Sequence, residues 1–282
     1  MKNRHAFASL FLGAIILLIT SCQPGKENKE EIIQTKQYAM EVADCLMPGV
    51  DDSLRLTVDI DFLDNTSEIP DTVLTKIQQR LIAKSFGEPY MKYVDMDTII
   101  EKFHDDVLRE YRLDYVPLYE QMKDGESEEV SINLNNEHML MVYPMTLQGN
   151  VLSYVVERYL YLGGAHGINN RLLLNFDITT GKTLEEKDIF TDDFFSKIHD
   201  MLVLNLVRQR DDMSLIEDVQ NSDYEIDAIK PNGNFYFAPD GLIYIYNPYE
   251  IGPYYLGETN ILVPTEEIKP FLKEKWQNIF AE

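Results

Sequence analysis

The chain has 282 residues, of which 48 are acidic and 25 basic, and its formal net charge at pH 7 is −23. A surface this acidic repels nucleic acid and anionic membranes and attracts cations or basic proteins, so we expect no nucleic-acid partner. A plainer explanation is that the acidic surface keeps an exported protein soluble. The length suffices for one large domain or two small ones.

The first 22 residues have the pattern of a secretory signal. Two basic residues open the chain, and the apolar run that follows, residues 6–19, is shorter than the roughly 20 residues of a comfortable membrane span. The sequence Ile-Thr-Ser-Cys at residues 19–22 resembles the bacterial lipobox. The resemblance implies that Cys22 is lipidated and becomes the mature N-terminus. An ordinary secretory signal with an incidental cysteine is the alternative.

These features predict a lipid-anchored protein of the bacterial cell envelope. Residues 1–21 form the predicted lipoprotein signal peptide, and the polar residues 22–36 form a flexible tether. Gln23 follows the cysteine in place of the Asp that commonly retains lipoproteins in the inner membrane, which favours the outer membrane. No cytoplasmic segment precedes the signal, so we expect no direct signalling across the membrane. Cys45 then has no partner for an internal disulfide.

The first half of the chain combines one strand with two helices. Residues 53–63 alternate between apolar and polar side chains, which predicts a half-buried strand. Pro70 suits the start of a helix and Gly87 its end, with an apolar stripe between them. A second helix is predicted after Asp95, because apolar residues recur there every three or four positions.

Strands dominate from residue 129 onward. Gly-Asn at residues 149–150 predicts a hairpin between strands 138–148 and 151–162. A helix with Phe195 on its buried face is predicted after the N-cap Thr191. The remaining predicted elements are strands 171–179, 234–238, 242–247 (after an Asp240-Gly241 turn) and 260–263, and a closing helix 265–280.

This order of elements predicts the fold class. Runs of strands separated by a few long helices, without strict βαβ alternation, are typical of α+β proteins. We therefore expect antiparallel sheets with a few long helices packed on one face, in two closely joined halves. No repeat of 20–50 residues is present, which argues against a solenoid.

Residues 161–167, the glycine-rich loop, are the first candidate site. Three glycines among the last five residues predict a sharp turn with close backbone approach. In one interpretation the loop binds a ligand through Tyr161, Gly163, Gly164 and His166, the histidine acting as a base or ligand. In the other, the glycines build a corner and His166 hydrogen-bonds to the neighbouring backbone.

Residues 248–257, the tyrosine loop, are the second candidate site. Tyrosines combined with glycine and proline predict a rigid aromatic loop. Such a loop can bind a sugar or a protein partner, here through Tyr249, Glu250 and Tyr254, because tyrosine offers contact area at a low cost in entropy. The alternative is a loop that caps the core, with its hydroxyls bonded to the backbone.

At these two loops the chain resembles a known family. The motifs are Tyr-x-Gly-Gly-Ala-His-Gly at 161–167, Thr-Gly-Lys-x-Leu at 180–184, and Tyr-x-Pro-Tyr-Glu-Ile-Gly-Pro-Tyr at 246–254. Together they look like the RsiV/PdaC-type extracellular domains of unknown function. The resemblance covers roughly residues 50–275, and its second part, 168–275, is the more specific.

The resemblance implies a division into a PdaC-like N-terminal domain, residues 37–162, and an RsiV-like C-terminal domain, residues 163–282. In RsiV such a domain is the outer part of an anti-sigma factor and binds lysozyme, and in PdaC it accompanies a peptidoglycan deacetylase domain. The sequence contains no His-x-x-x-His motif of the deacetylase type. The resemblance therefore implies the extracellular domain on a lipid anchor, without the anti-sigma or deacetylase part that accompanies it in those relatives.

The sequence lacks the motifs of common catalytic sites, which argues against an enzyme. No Gly-x-Ser-x-Gly elbow is present, and the histidines show no metal-ligand spacing, so no cofactor or metal is predicted. The leading hypothesis is a non-catalytic envelope module that binds a cell-wall component such as peptidoglycan, or a basic protein such as lysozyme. The alternatives are a cell-wall or glycan hydrolase using His166, and an accessory protein for carbohydrate uptake. The sequence makes no prediction of oligomeric state.

Overall fold

A computed structural model describes residues 33–64, 69–123, 133–210, 213 and 215–280. The predicted signal peptide and Cys22 lie outside the described residues. The fold is α+β, as predicted, with antiparallel pairing in most strands. Among the helices of the described residues, none is both long enough and apolar enough to cross a membrane.

The chain divides into two compact units. The first contains the described residues up to Val142 together with Tyr159–Gly167, and the second contains Tyr143–Arg158 and the residues from Ile168 onward. The boundary that the resemblance implies, between residues 162 and 163, stays a prediction about family domains. Each unit is described below by itself.

The first unit consists of a small sheet and two long helices. Its elements are β1 (Thr35–Cys45), β2 (Ser53–Leu63), α1 (Asp71–Ser85), a 3-10 turn (Glu88–Lys92), α2 (Met96–Lys123), the first part of β3 (Asn136–Gln148) and the last part of β4 (Val151–Tyr161). β1 pairs antiparallel with β2. β2 pairs parallel with β3, which requires a long crossover, and α1 and α2 supply it.

The sequence pattern does not predict β1, which begins at Thr35 inside the predicted tether. The strand alternates between exposed and half-buried positions and contains no fully buried residue. The alternation of apolar and polar residues along β1 is correspondingly weak, because Ala39 and Ala43 lie among the polar residues of its exposed face. The predicted helices are confirmed, and α2 is longer than the apolar pattern indicated.

The second unit contains the remaining strands and the short helices. The elements are the rest of β3 and β4, β5 (Ile168–Asp177), β6 (Lys182–Leu184), α3 (Glu186–Ile189), α4 (Asp192–Phe195), α5 (Ile198–Arg208), α6 (Ile216–Gln220), β7 (Phe235–Ala238), β8 (Gly241–Tyr246), β9 (Thr259–Pro264) and α7 (Thr265–Ile268). β5 pairs antiparallel with β6, and β7, β8 and β9 form a three-stranded antiparallel sheet. A large apolar cluster joins this sheet to the helices.

Two predicted helices are wrong in detail. The helix after Thr191 is split into α4 and α5, and the break rotates the apolar stripe, so Phe194 is fully buried while Phe195 is 43% exposed. The closing helix stops at Ile268 and continues as separate 3-10 turns. Pro270 lies too deep for a first turn, and its missing N–H ends the α-helical hydrogen bonding.

The hairpin predictions differ in their outcomes. Gly149–Asn150 joins β3 and β4 as predicted. The turn between β7 and β8 is Pro239–Asp240 and not Asp240–Gly241, because Ala238 pairs with Gly241. A Cβ atom at Gly241 would lie 2.2 Å from the carbonyl oxygen of Val263, so glycine serves the packing of β8 on β9.

Candidate functional site

The glycine-rich loop is a corner built from close backbone contacts. Gly163 has a φ of +79°, and a Cβ atom there would lie 1.9 Å from the carbonyl oxygen of Asn133. A Cβ atom at Gly167 would lie 2.3 Å from the Tyr159 hydroxyl oxygen. A Cβ atom at Gly164 would meet no heavy atom within 4 Å. Two of the three glycines are therefore required by packing.

Polar side chains stabilise this corner through hydrogen bonds. The Asn133 amide donates to the Tyr161 hydroxyl at 2.8 Å, and the Tyr115 hydroxyl donates to the Leu162 carbonyl at 3.2 Å. Asn135 donates to the side chains of Asn133 and Asp52, at 2.9 and 3.2 Å. Tyr161, predicted to contact a ligand, thus has its hydroxyl bonded within the unit.

His166 lies on the exposed rim of the glycine-rich loop. Its Nδ1 lies 3.1 Å from the carbonyl oxygen of the adjacent Gly167. This is the contact with neighbouring backbone that the structural interpretation of the loop predicts. The role of His166 as a base or ligand stays a prediction.

The tyrosine loop is fixed by the carboxylate of Glu250. Glu250 accepts hydrogen bonds from the Asn247 backbone N–H at 3.1 Å and from the Asn232 amide at 2.9 Å. Gly252 is buried, and a Cβ atom there would lie 2.8 Å from the Asp223 carbonyl oxygen. Glu250 was predicted to bind a ligand, and the structure shows its carboxylate bonded to Asn232 and Asn247.

The aromatic side chains of the tyrosine loop are largely available to solvent. Tyr249 is 58% exposed and Tyr255 is 68% exposed. The ring centroids of Tyr249 and Tyr254 lie 5.5 Å apart, and the Tyr255 hydroxyl donates to Asp223. Tyr249 has a φ of +73°, which is uncommon outside glycine and marks backbone strain.

Asparagine side chains tie the base of the tyrosine loop to strand β5. The Asn247 side chain accepts from the Arg171 N–H at 2.7 Å and donates to the Arg171 carbonyl at 3.0 Å. Asn234 accepts from the Leu173 N–H at 2.7 Å in the same manner. Each amide thus pairs with the backbone as a neighbouring strand would. Sequence reasoning missed these residues, although Asn on both sides of a predicted hairpin was a visible signal.

A charged network adjoins this base. Arg171 donates to Glu157 at 2.9 Å and to Glu258 at 3.0 Å. Burial raises the pKa of Glu157, but hydrogen bonds from Asn169 and Arg171 outweigh it and hold that pKa below its usual value. Glu157 is therefore ionised at neutral pH. Its ion pair with Arg171 holds that side chain beside Glu258, the first residue after the tyrosine loop.

The described residues offer no assembled metal centre. Among them, no group of three or more His, Cys, Asp or Glu side chains is arranged to hold a metal ion. Cys45 is exposed and forms no disulfide. His104 bonds to Asp44 at 2.7 Å between α2 and the end of β1. The glycine-rich loop belongs to the first unit and the tyrosine loop to the second.

Comparison with solved structures defines the class of the fold. A DUF3298 family member from Bacteroides fragilis NCTC 9343 superposes with a TM-score of 0.78 at 23% identity, covering 88% of this chain and 98% of that one. A DUF3298 family protein from Pseudomonas aeruginosa PAO1 gives a TM-score of 0.59 at 17% identity, covering 89% and 97%. At these identities the likeness concerns the fold.

Comparison of sequences adds a family segment and a distant relative. Residues 187–266 match the family "Protein of unknown function (DUF3298)", and this segment contains the tyrosine loop. The peptidoglycan-N-acetylmuramic acid deacetylase PdaC of Bacillus subtilis (strain 168) is 22% identical over 192 residues, 67% of this chain and 38% of PdaC. The chain thus matches less than two fifths of that relative. These findings support a relationship to PdaC- and RsiV-like DUF3298 proteins.

Proposed function

We propose that the protein is a non-catalytic binding module of the bacterial envelope, anchored by lipid on Cys22, and that its tyrosine loop binds the glycan of peptidoglycan. The observation that carries the proposal is the pair of exposed rings, Tyr249 and Tyr255, on a backbone fixed by Glu250. Sugar rings have apolar faces that pack on aromatic rings.

The rigidity of the loop favours binding. Ordering a mobile loop on association costs affinity, whereas a loop held in place beforehand avoids that cost. The Asn247 and Glu250 hydrogen bonds hold the loop where it leaves β8. The strained φ of Tyr249 is consistent with a ring that is oriented for a task, because such strain persists where the surrounding structure enforces it.

The comparisons support a ligand from the cell wall. PdaC is named for action on peptidoglycan, and its similarity to this chain extends over 192 residues. The chain matches only part of PdaC, so deacetylation is not carried over. From PdaC the proposal takes only the class of ligand, which is peptidoglycan.

Co-sedimentation with purified peptidoglycan tests the proposal. The double variant Tyr249→Ala with Tyr255→Ala should bind more than about tenfold more weakly, because exposed aromatic anchors carry most of the energy of an interface. Phe195→Ala is the matched control, since it removes another exposed aromatic ring from the same unit. Equal binding by wild type and double variant would refute a role for the loop.

A basic protein such as lysozyme is a second candidate ligand, favoured by the net charge of −23. Complementary charge accelerates association and weakens with salt. Titration with lysozyme at low and moderate salt should show saturable binding at both. A weak signal abolished by moderate salt would indicate nonspecific attraction instead.

The proposed anchor is tested separately. Cells fed labelled palmitate should label the wild-type chain and not Cys22→Ser, and the label should fractionate with the outer membrane. Label retained by Cys22→Ser would contradict lipidation at that residue. The Cys45→Ser variant is the matched control, because it removes the other cysteine of the chain.

A further inference from the structure

Strand β1 leaves one long edge of its backbone without a partner strand. The strand has 11 residues and pairs with β2 over its whole length, from Thr35 opposite Leu63 to Cys45 opposite Ser53. On its other side, the part of the chain that the structure describes supplies no strand. The N–H and C=O groups that point to that side can pair with another extended chain.

β1 lacks most of the features by which proteins block an exposed edge. Such edges are usually very short, bulged or interrupted by proline. The continuous register with β2 leaves no bulge within β1, and the strand contains neither proline nor glycine. At the ordinary rise of a strand, this edge is about 35 Å long. It therefore suits pairing along its full length.

One face of β1 carries the apolar residues of the strand between two charges. The apolar residues alternate along this face and are all half-buried: Tyr38, Met40 and Val42. Lys36 and Asp44 stand at its two ends. Asp44 bonds to His104 of α2 at 2.7 Å, so this is the face toward α2. A strand added at the edge would cover the sides of these residues that β2 does not cover.

The sequence of this face is complementary to itself when a second copy runs antiparallel to the first. Residues directly opposite each other in an antiparallel pair share a face of the sheet. With a two-fold axis at Met40, Tyr38 lies opposite Val42 of the second copy. Lys36 lies opposite Asp44 of the second copy. Aromatic residues opposite β-branched ones, and opposite charges, both stabilise cross-strand pairs.

The neighbouring registers fit less well. An axis at Glu41 would place two Glu41 carboxylates directly opposite each other, which is destabilising. An axis at Ala39 would place Lys36 opposite Val42 and leave the lysine without a countercharge in the second copy. The axis at Met40 instead places Glu41 opposite Ala39, and it gives every residue of the strand a partner.

We infer that β1 pairs antiparallel with β1 of a second copy, centred on Met40, and that the protein is a homodimer built on this edge. The pairing joins the two chains by about ten backbone hydrogen bonds. A carboxylate accepts several hydrogen bonds, so Asp44 keeps its bond to His104 when it meets Lys36 of the second copy. The inference depends neither on lipid at Cys22 nor on the tyrosine loop.

Cysteine cross-linking tests the register. The full chain has two cysteines, and C22S with C45S leaves an introduced cysteine alone. M40C should form a disulfide-linked dimer on mild oxidation, because directly opposite Cα atoms lie about 4.5–5.5 Å apart. V42C is the matched control on the same half-buried face. Its two copies would lie about 14 Å apart, so its dimer should form more than about tenfold more slowly.

A mixture of two variants tests the same register independently. Y38C and V42C lie opposite each other in the inferred pair, whereas each lies far from its own copy. Neither variant should cross-link alone, and an equal mixture should give the disulfide dimer.

Sedimentation equilibrium of the full chain tests the association itself. Moderate salt is used, because it screens the repulsion between two chains of net charge −23. M40K places two lysines opposite each other on the edge and should weaken the dimer more than about tenfold. E41K is the matched control, since it adds a lysine to the exposed face of the same strand. Circular dichroism checks that both variants are folded.

The outcomes are distinct. Cross-linking of M40C and of the Y38C and V42C mixture, together with a dimeric wild type and E41K, supports the pairing. Equal cross-linking of M40C and V42C overturns the register. A wild-type chain that stays monomeric, or a dimer that persists in folded M40K, overturns the use of this edge. If M40K does not fold, the cross-linking alone decides.

Discussion

The two loops that carry the most recognisable motifs differ in what mainly shapes them. The glycine-rich loop is shaped by backbone, since Gly163 and Gly167 sit where no side chain fits. The tyrosine loop is shaped largely by side-chain hydrogen bonds, with Glu250 and Asn247 as its supports. Both loops reach solvent, the first through Leu162 and residues 164–166 and the second through the aromatic rings of Tyr249 and Tyr255.

This difference separates structural need from binding capacity. A motif can recur because its residues alone allow a turn, and Gly163 is such a residue. The Tyr249 and Tyr255 rings are 58% and 68% exposed, so burial in the core does not explain them. We therefore expect the glycine-rich loop to serve stability and, under the proposed function, the tyrosine loop to serve binding, and the following variants test both expectations.

The largest effect is expected from Gly163→Ala. The added Cβ atom would clash with the Asn133 carbonyl oxygen, and the residue would have to keep the φ of +79° that Gly163 adopts. We therefore expect a loss of about 3 kcal/mol or more in the free energy of unfolding. Gly164→Ala, where space is open, should change it by less than about 0.5 kcal/mol. Urea denaturation followed by circular dichroism measures both. Equal stability of the two variants would undo the backbone explanation of the loop.

Acid should loosen the base of the tyrosine loop. Asn169 and Arg171 hold the folded-state pKa of Glu157 below its usual value despite burial. The stability that ionised Glu157 contributes is therefore complete above its unfolded-state pKa and is lost as pH falls through its folded-state pKa. We expect the protection factors of the amides at residues 248–257, which are corrected for the pH dependence of intrinsic exchange, to fall as the solution is acidified below about pH 4. Glu157→Gln should lose about 2 kcal/mol at pH 7, and a protected loop in that variant would exclude Glu157 as its support.

Gly252→Ala should weaken the tyrosine loop from within. Its Cβ atom would lie 2.6 Å from a Leu256 methyl and 2.8 Å from the Asp223 carbonyl, so a loss of about 1.5 kcal/mol is expected, together with weaker peptidoglycan binding. Thermal unfolding and co-sedimentation measure the two effects. Normal binding by an intact but destabilised variant would show that the loop conformation is not what the ligand recognises.

The smallest effect is expected from His166→Ala. The side chain is exposed on the rim of its loop, so the free energy of unfolding should change by less than about 0.5 kcal/mol, and peptidoglycan binding should persist. The same variant tests the alternative of a hydrolase. Turnover of peptidoglycan fragments by the wild type that disappears in folded His166→Ala would transfer function to the glycine-rich loop.

Local patterns predicted the fold class and both loops, but not what the loop residues contact. The alternation in β2 and the helical spacing in α2 depend on neighbouring residues, so a sequence reveals them. The position of Asn133 beneath Gly163, and the pairing of Asn247 with Arg171, join residues far apart in the chain. The prediction that Glu250 contacts a ligand did not anticipate its bond to Asn232, which lies 18 residues away and comes close only in the folded chain.

The parallel pairing of β2 with β3 sets an order for folding. β1 and β2 pair as near neighbours, but Ser53 meets Asn135 only across 82 residues, and long-range closure is slow. A chain synthesised from its N-terminus cannot complete the β2–β3 pairing until residue 142 has been made. The parallel strand thus keeps the first unit unfinished until about half of the 282 residues exist.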